Sequence, residues 1–127
     1  MGSVINHRGL TLIEAVIAMA LFLVAVLALA GLAVTANKGA AASKHLTTAA
    51  TLARDRLEQL TNAGYDAGLT ASIETTEVYG SIPDYPLYQR VVELQPGRPV
   101  PGLQTATVTV SWAADRHSVT VSTILAP

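Results

Sequence analysis

The sequence predicts an α+β protein in which one long N-terminal helix packs on a small antiparallel sheet of three or four strands. Residues 15–34 carry no charged or amide side chain. Leucines and alanines then recur at helical spacing between Leu46 and Leu60, and apolar residues alternate with hydroxyl residues between Thr105 and Trp112. The helix stripe and the apolar face of the sheet are the two surfaces large enough to bury each other.

The first part of the predicted helix has the length and composition of a membrane-spanning segment. At 1.5 Å rise per residue, about 20 residues form a helix of about 30 Å, which is the thickness of a bilayer's hydrocarbon core. A helix that is apolar on every face has no place on the surface of a soluble domain. We therefore expect residues 10–36 to form a transmembrane helix.

Glu14 lies near the N-terminal edge of the apolar run, and two interpretations of it are open. A glutamate in the first turn can reach headgroup water and suits the positive end of the helix dipole. Alternatively, Glu14 is a partner for an amine, because Leu10 lies one helical turn before it. If the chain were cut after Gly9, Leu10 would carry a free ammonium at the membrane edge, and that charge would need a carboxylate on its own chain or on a neighbour's.

A six-residue motif leads into the apolar run: Gly9-Leu10-Thr11-Leu12-Ile13-Glu14. It resembles the class III signal of type IV prepilins and type II secretion pseudopilins. The resemblance implies that a prepilin peptidase cuts between Gly9 and Leu10 and N-methylates Leu10. It also implies that Glu14 meets the N-terminal amine of an adjacent subunit during assembly. Leu10 stands where phenylalanine is commoner in the family, and Gly31 stands about where many major pilins have a proline.

The second half of the helix carries a looser motif. The predicted buried stripe comprises Leu46, Ala50, Ala53, Leu57 and Leu60, and Gly64 is a suitable end for the helix. Residues 49–60 are similar to the helix of PilV-type minor pilins and GspI-type minor pseudopilins, and residues 64–66 are similar to the PilV side. An ordinary amphipathic helix packing on a sheet explains the same residues.

These patterns predict a leader, a transmembrane helix and a C-terminal domain that contains a helix, a loop and a sheet. Alternation predicts strands in residues 88–94 and 105–112, joined by a proline-rich connection that is unable to enter a sheet, and a hairpin at residues 113–117. Residues 72–79 are a weaker strand candidate, and the tyrosines near two prolines favour a loop held by its own side chains over a partner-binding surface. The predicted parts are a leader (1–9), a transmembrane and assembly helix (10–36) and a periplasmic domain (37–127) with an amphipathic helix (44–63), an irregular loop (64–87) and a sheet (88–125).

Composition and spacing argue against an enzyme or a nucleic-acid-binding protein. The 127 residues have a net charge of −1, which provides no basic footprint for nucleic acid, and the absence of cysteine excludes disulfides and thiolate chemistry. The histidines at 7, 45 and 117 lack the spacing of metal ligands. Asp115, His117 and Ser118 crowd one hairpin, where neighbouring side chains point apart and no pocket is expected. We expect no catalytic residue, no metal and no cofactor.

The resemblance implies a minor pilin that primes or caps a type IV pilus. Its expected partners are other minor and major pilins, the prepilin peptidase and the inner-membrane assembly platform. The expected location is the inner membrane, in a single pass with the C-terminal domain periplasmic, and then the filament tip. One alternative is a minor pseudopilin at the tip of a type II secretion pseudopilus. The other is a single-span or secreted periplasmic binding domain, since Ala28-Leu29-Ala30 also fits a signal-peptide cleavage site.

Overall fold

The computed structural model describes residues 7–127, with side chains from Thr11 onward. The chain divides into two compact units, Met1–Ala41 and Ala42–Pro127. The element order is one helix followed by four strands, which confirms the predicted α+β class. The elements are α1 (His7–Ala63), β1 (Ile73–Glu77), β2 (Tyr88–Pro96), β3 (Gln104–Trp112) and β4 (His117–Leu125).

The described part of the first unit is helical throughout. α1 continues through Gly31 and Gly39 without interruption. Every side chain from Thr11 to Ala41 is exposed. The helix from Thr11 onward contains an 18-residue window with a mean hydropathy of 2.8 and is long and apolar enough to cross a membrane.

The second unit contains the rest of α1 and the whole sheet. The helix ends where predicted, because Gly64 adopts a positive φ of 79° and donates its backbone N–H to the Leu60 carbonyl at 3.1 Å. This is the left-handed C-terminal cap that favours glycine. The strands form an antiparallel meander in the order β1-β2-β3-β4, and central pairs such as Val92 with Val108 and Val108 with Val121 fix the register.

The sheet includes the weaker strand candidate beside β2, and β2 itself is longer than predicted. The weaker strand candidate, residues 72–79, contains β1 (Ile73–Glu77), which pairs with β2. β2 continues to Pro96, which pairs with Gln104, although we expected residues 95–102 to lie outside the sheet. Pro96 is tolerated because β1 reaches only as far as Leu94 along β2, so no donor is needed on that side.

The core lies between α1 and one face of the sheet. The predicted apolar face of β3 is confirmed, since Ala106, Val108 and Val110 are fully buried. The predicted helix stripe is confirmed at Ala53, Leu57 and Leu60, which lie in the core or pack against it. Ala49 and Leu52, outside the predicted stripe, are buried as well, whereas Leu46 is 53% exposed. The cause is that two polar residues, His45 and Arg56, lie half-buried on the face that packs on the sheet.

Candidate functional site

The first candidate site is the start of α1, where the sequence predicts processing and assembly. The backbone is helical at Gly9, Leu10 and Glu14, so the residue pair 10 and 14 is one helical turn apart. For Gly9 and Leu10 the structure describes the backbone alone, because the described side chains begin at Thr11. The Glu14 carboxylate is exposed and makes no hydrogen bond or ion pair with any side chain from Thr11 to Pro127.

The surface around Glu14 is apolar and uncovered. Leu12 is 69% exposed, and further along the helix Phe22 is 68% and Leu27 72% exposed. In a membrane this surface would meet lipid, which satisfies the apolar side chains but not a carboxylate. Among residues 11–41, Glu14 is therefore a carboxylate without a described partner in a surface suited to lipid or to other apolar helices.

A second site is a pocket in the second unit, which the sequence analysis did not predict. Its volume is about 650 Å³, and its lining includes His45, Tyr79, Leu87, Trp112 and His117. The expectation that no pocket lies near the β3–β4 hairpin is therefore wrong. The reason is a long-range contact: the segment after β1 folds over the hairpin, which local patterns do not reveal.

The wall of this pocket is held by Tyr79 and Asp115. The Tyr79 hydroxyl donates to Asp115 Oδ1 at 2.8 Å and accepts from the Asp115 backbone N–H at 3.0 Å. Burial and then the Asp115 hydrogen bond raise the pKa of the Tyr79 phenol. Tyr88 is buried, and its hydroxyl lies 2.8 Å from His45 Nδ1. Tyr79 and Tyr88 thus both hydrogen-bond within the domain, as expected of a loop held by its own side chains.

The residues that resemble a hydrolase triad do not form one. Asp115 is engaged by Tyr79, while His117 stacks on Trp112 with ring centroids 5.6 Å apart. Ser118 follows His117 in β4, and successive strand residues point to opposite faces of a sheet. Among residues 11–127, no three His, Cys, Asp or Glu side chains are grouped as metal ligands are.

A buried ion pair connects the sheet to the helix, and the sequence analysis missed it. Arg90 is 9% exposed and binds the Glu77 carboxylate through two nitrogens. Its Nη1 also donates to the Leu52 carbonyl of α1 at 3.3 Å. The sequence did indicate such a pair, because Arg90 lies on the same face of β2 as Tyr88, and a buried cation requires a partner. This pair attaches β1, and its role is structural.

Gln104 is a second structural residue that the sequence analysis missed. Its side chain is 1% exposed, and its amide binds both the backbone N–H and the carbonyl of Asp66. The contact fixes the segment that follows α1 against the first residue of β3. No local signal identifies Gln104, because its partner is a backbone 38 residues away.

Comparison with known protein families identifies a motif in the N-terminal part of the chain. The prokaryotic N-terminal methylation motif matches residues 5–30. The chain carries the N-terminal motif of type IV prepilin-like proteins. No curated protein and no solved structure matches the chain. The match covers residues 5–9 of the predicted leader and most of the apolar run, including Gly9, Leu10 and Glu14.

The prepilin-like motif and the fold agree. A long N-terminal helix whose second half packs on an antiparallel sheet is consistent with a type IV pilin-like fold. Together they support a type IV pilin or pseudopilin, and the long apolar helix fits a single-pass membrane anchor. Prepilin-like proteins of this kind form a structural, non-enzymatic family that assembles with other pilins and is processed by prepilin peptidase.

The Glu77–Arg90 pair gives the domain a predicted pH dependence. The Arg90 hydrogen bonds lower the pKa of Glu77 below its ordinary value of 4.5, against the opposing effect of burial. A carboxylate with a lowered folded-state pKa stabilises the fold above its unfolded-state pKa, and that contribution is lost as the pH falls through the folded-state value. We expect the Tm of the wild type to fall by several degrees as the pH is lowered from neutral to about 3.

The matched variants for this measurement are Glu77→Gln and Glu74→Gln. Both lie on β1, but Glu74 is exposed and makes no ion pair within residues 11–127. Glu77→Gln should have a lower Tm at neutral pH and lose less of it on acidification, whereas Glu74→Gln should follow the wild type. Thermal unfolding by circular dichroism, on the full chain in detergent, measures both. Parallel curves for wild type and Glu77→Gln would contradict a stabilising role for this pair.

Proposed function

We propose that this protein is a minor pilin that primes or caps a type IV pilus after cleavage between Gly9 and Leu10. The observation that carries the proposal is the unpartnered Glu14 on the exposed apolar helix, inside the matched methylation motif. A membrane anchor alone has no need of a carboxylate there, since the charge raises the cost of insertion. An assembly subunit needs this carboxylate, because Glu14 supplies the partner for a neighbour's N-terminal amine.

The proposed mechanism is assembly through the helix. After cleavage, Leu10 begins the mature chain with a methylated, positively charged amine. Packing among neighbouring subunits replaces lipid around the apolar side chains of residues 15–34, and the low-dielectric surroundings strengthen the attraction between Glu14 and that amine. A growing filament therefore selects subunits that offer both charges. The periplasmic domain, 37–127, remains outside the helical contacts as the exposed part of the subunit.

We place the precursor in the inner membrane in a single pass, with the second unit in the periplasm, and the mature protein at the filament tip. The proposed partners are other minor pilins, the major pilin, prepilin peptidase and the inner-membrane assembly platform. The proposed chemistry is subunit recognition, without catalysis.

Shearing filaments from the native host tests this function. We expect the protein in the sheared pilus fraction in far smaller amount than the major subunit, and we expect its deletion to reduce the number of surface pili. Loss of protein secretion with normal piliation would instead assign the chain to a type II secretion pseudopilus. A protein that is absent from every filament fraction, and whose deletion changes neither process, would contradict both filament roles.

A further inference from the structure

The two edges of the sheet differ in how they are protected. β1 is a short edge of five residues that carries Glu74 and Glu77. β4 is an edge of nine residues, His-Ser-Val-Thr-Val-Ser-Thr-Ile-Leu, with no proline, lysine, aspartate or glutamate. In the part of the chain that the structure describes, β4 pairs with β3 alone. Short length and charge are the usual protection of an edge against strand addition, and β4 has neither.

The core face of β4 is also incompletely covered. Val119 and Val121 pack against the core but are only half-buried, whereas their β3 partners Val110 and Val108 are fully buried. A further strand beside β4 would cover these two valines. It would also satisfy the outward row of backbone N–H and C=O groups that an edge strand exposes.

The aromatic pocket adjoins the start of this edge. His117 is the first residue of β4 and lines the pocket together with Trp112, Tyr79 and Leu87. Strands in a sheet lie about 4.8 Å apart, and directly opposed residues place their side chains on the same face. A residue opposite His117 on an added strand would therefore have its side chain beside the pocket. At about 650 Å³, the pocket has room for a large aromatic side chain.

The pocket wall is held by contacts within the domain. Ala113, Ala114 and Asp115 are three consecutive residues with positive φ, at 56°, 54° and 62°. Such conformations are unfavourable for residues other than glycine and persist when surrounding contacts enforce them. Here the enforcing contact is the pair of hydrogen bonds between Asp115 and Tyr79. A wall held in this way binds a side chain without a further cost of ordering.

We propose that β4 and this pocket form a binding site for an extended peptide segment of a partner protein. The segment adds to β4 as a fifth strand through backbone hydrogen bonds, and a large aromatic side chain opposite His117 enters the pocket. Backbone pairing supplies affinity and the pocket supplies specificity, as in other complexes formed by strand addition. The site lies on the sheet, so it does not depend on the assembly role of Glu14.

A peptide that copies β3, Gln-Thr-Ala-Thr-Val-Thr-Val-Ser-Trp, is a suitable probe. β4 already pairs with this sequence on its inner side, in a register that sets Trp112 opposite His117. The labelled peptide is titrated into the full-length protein in detergent micelles, with empty micelles as the blank, and binding is followed by fluorescence anisotropy. We expect saturable binding, and we expect replacement of the peptide's tryptophan by alanine to weaken it at least about tenfold.

Backbone methylation distinguishes strand addition from simple insertion of the tryptophan. Two peptides are made, one N-methylated at its odd positions and the other at its even positions. An added strand uses the N–H groups of one edge only, so one peptide should lose binding while the other retains it. Equal binding of both methylated peptides, or no saturable binding of the parent peptide, would overturn the proposal.

Protein variants complete the test. His117→Ala should weaken binding several-fold, whereas Ser118→Ala, on the opposite face of β4, should leave binding unchanged. Bound peptide should also slow hydrogen exchange at alternate backbone amides of β4. If the peptide instead dissociates a dimer that the protein forms without it, the edge is occupied by a second copy, and the assignment to a partner protein is overturned.

Discussion

Replacing Glu14 by alanine or glutamine is expected to leave the protein in the membrane but to remove it from filaments. Insertion should be unaffected or favoured, because a carboxylate within a span opposes insertion. Incorporation should fall at least about tenfold, since leaving a packed charge without its partner costs about 2–5 kcal/mol and 1.4 kcal/mol already corresponds to a factor of ten. Immunoblots of membranes and of sheared filaments, from cells expressing each variant at equal level, measure the two effects.

The matched control for Glu14 is a neighbouring apolar position. Ile17→Ala shortens an exposed side chain on the same helix without changing its charge, so it separates loss of the carboxylate from a general change in helix packing. Glu14→Asp keeps the charge on a shorter side chain and should retain part of the incorporation. If Glu14→Gln enters filaments as well as the wild type does, the proposed pairing with a neighbour's amine is wrong.

Replacing Gly9 by leucine is expected to stop maturation altogether. If the peptidase cleaves after Gly9 as proposed, we expect a large branched side chain at this position to block it, so the precursor should accumulate with its leader attached. Without cleavage, Leu10 has no free amine, and Glu14 of a neighbour has no partner. We therefore expect loss of the protein from filaments as complete as that of the Glu14 variants, but with a heavier chain in the membrane.

The Gly9 variant is read by gel mobility and intact mass of the membrane fraction. Gly2→Leu, elsewhere in the leader, is the control and should be processed normally. Normal maturation of Gly9→Leu would show that cleavage occurs elsewhere, and the mature N-terminus would then have to be reassigned. A processed chain that still fails to enter filaments would separate the cleavage site from the assembly role of Glu14.

The elements that local periodicity determines were predictable from the sequence. The long helix, its end at Gly64 and the β3–β4 hairpin follow from apolar spacing and one glycine. The predicted helix face differs in part from the observed one, because a pattern based on hydropathy assigns His45 and Arg56 to the surface. In the structure His45 contacts Tyr88 in the core, and Arg56 lies half-buried.

The features that depend on distant contacts were indicated weakly or not at all. β1 was only a weak strand candidate, because its sequence Ile-Glu-Thr-Thr-Glu shows no apolar alternation, and the Glu77–Arg90 pair attaches it to β2. The pocket exists because Tyr79 reaches Asp115, 36 residues later. The candidate processing and assembly residues show the opposite pattern. Gly9, Leu10 and Glu14 lie within six consecutive residues, so the sequence alone was enough to propose them, and their roles stay predictions.

The intact mass and N-terminal residue of the protein purified from membranes of its native host test the central claim most directly. We predict a mature chain that begins at Leu10 and is heavier by one methyl group than its sequence. A chain that begins at Gly31 would instead be a secreted domain without the assembly helix. An unprocessed chain that begins at Met1 would be a membrane anchor, and either result would contradict the filament role.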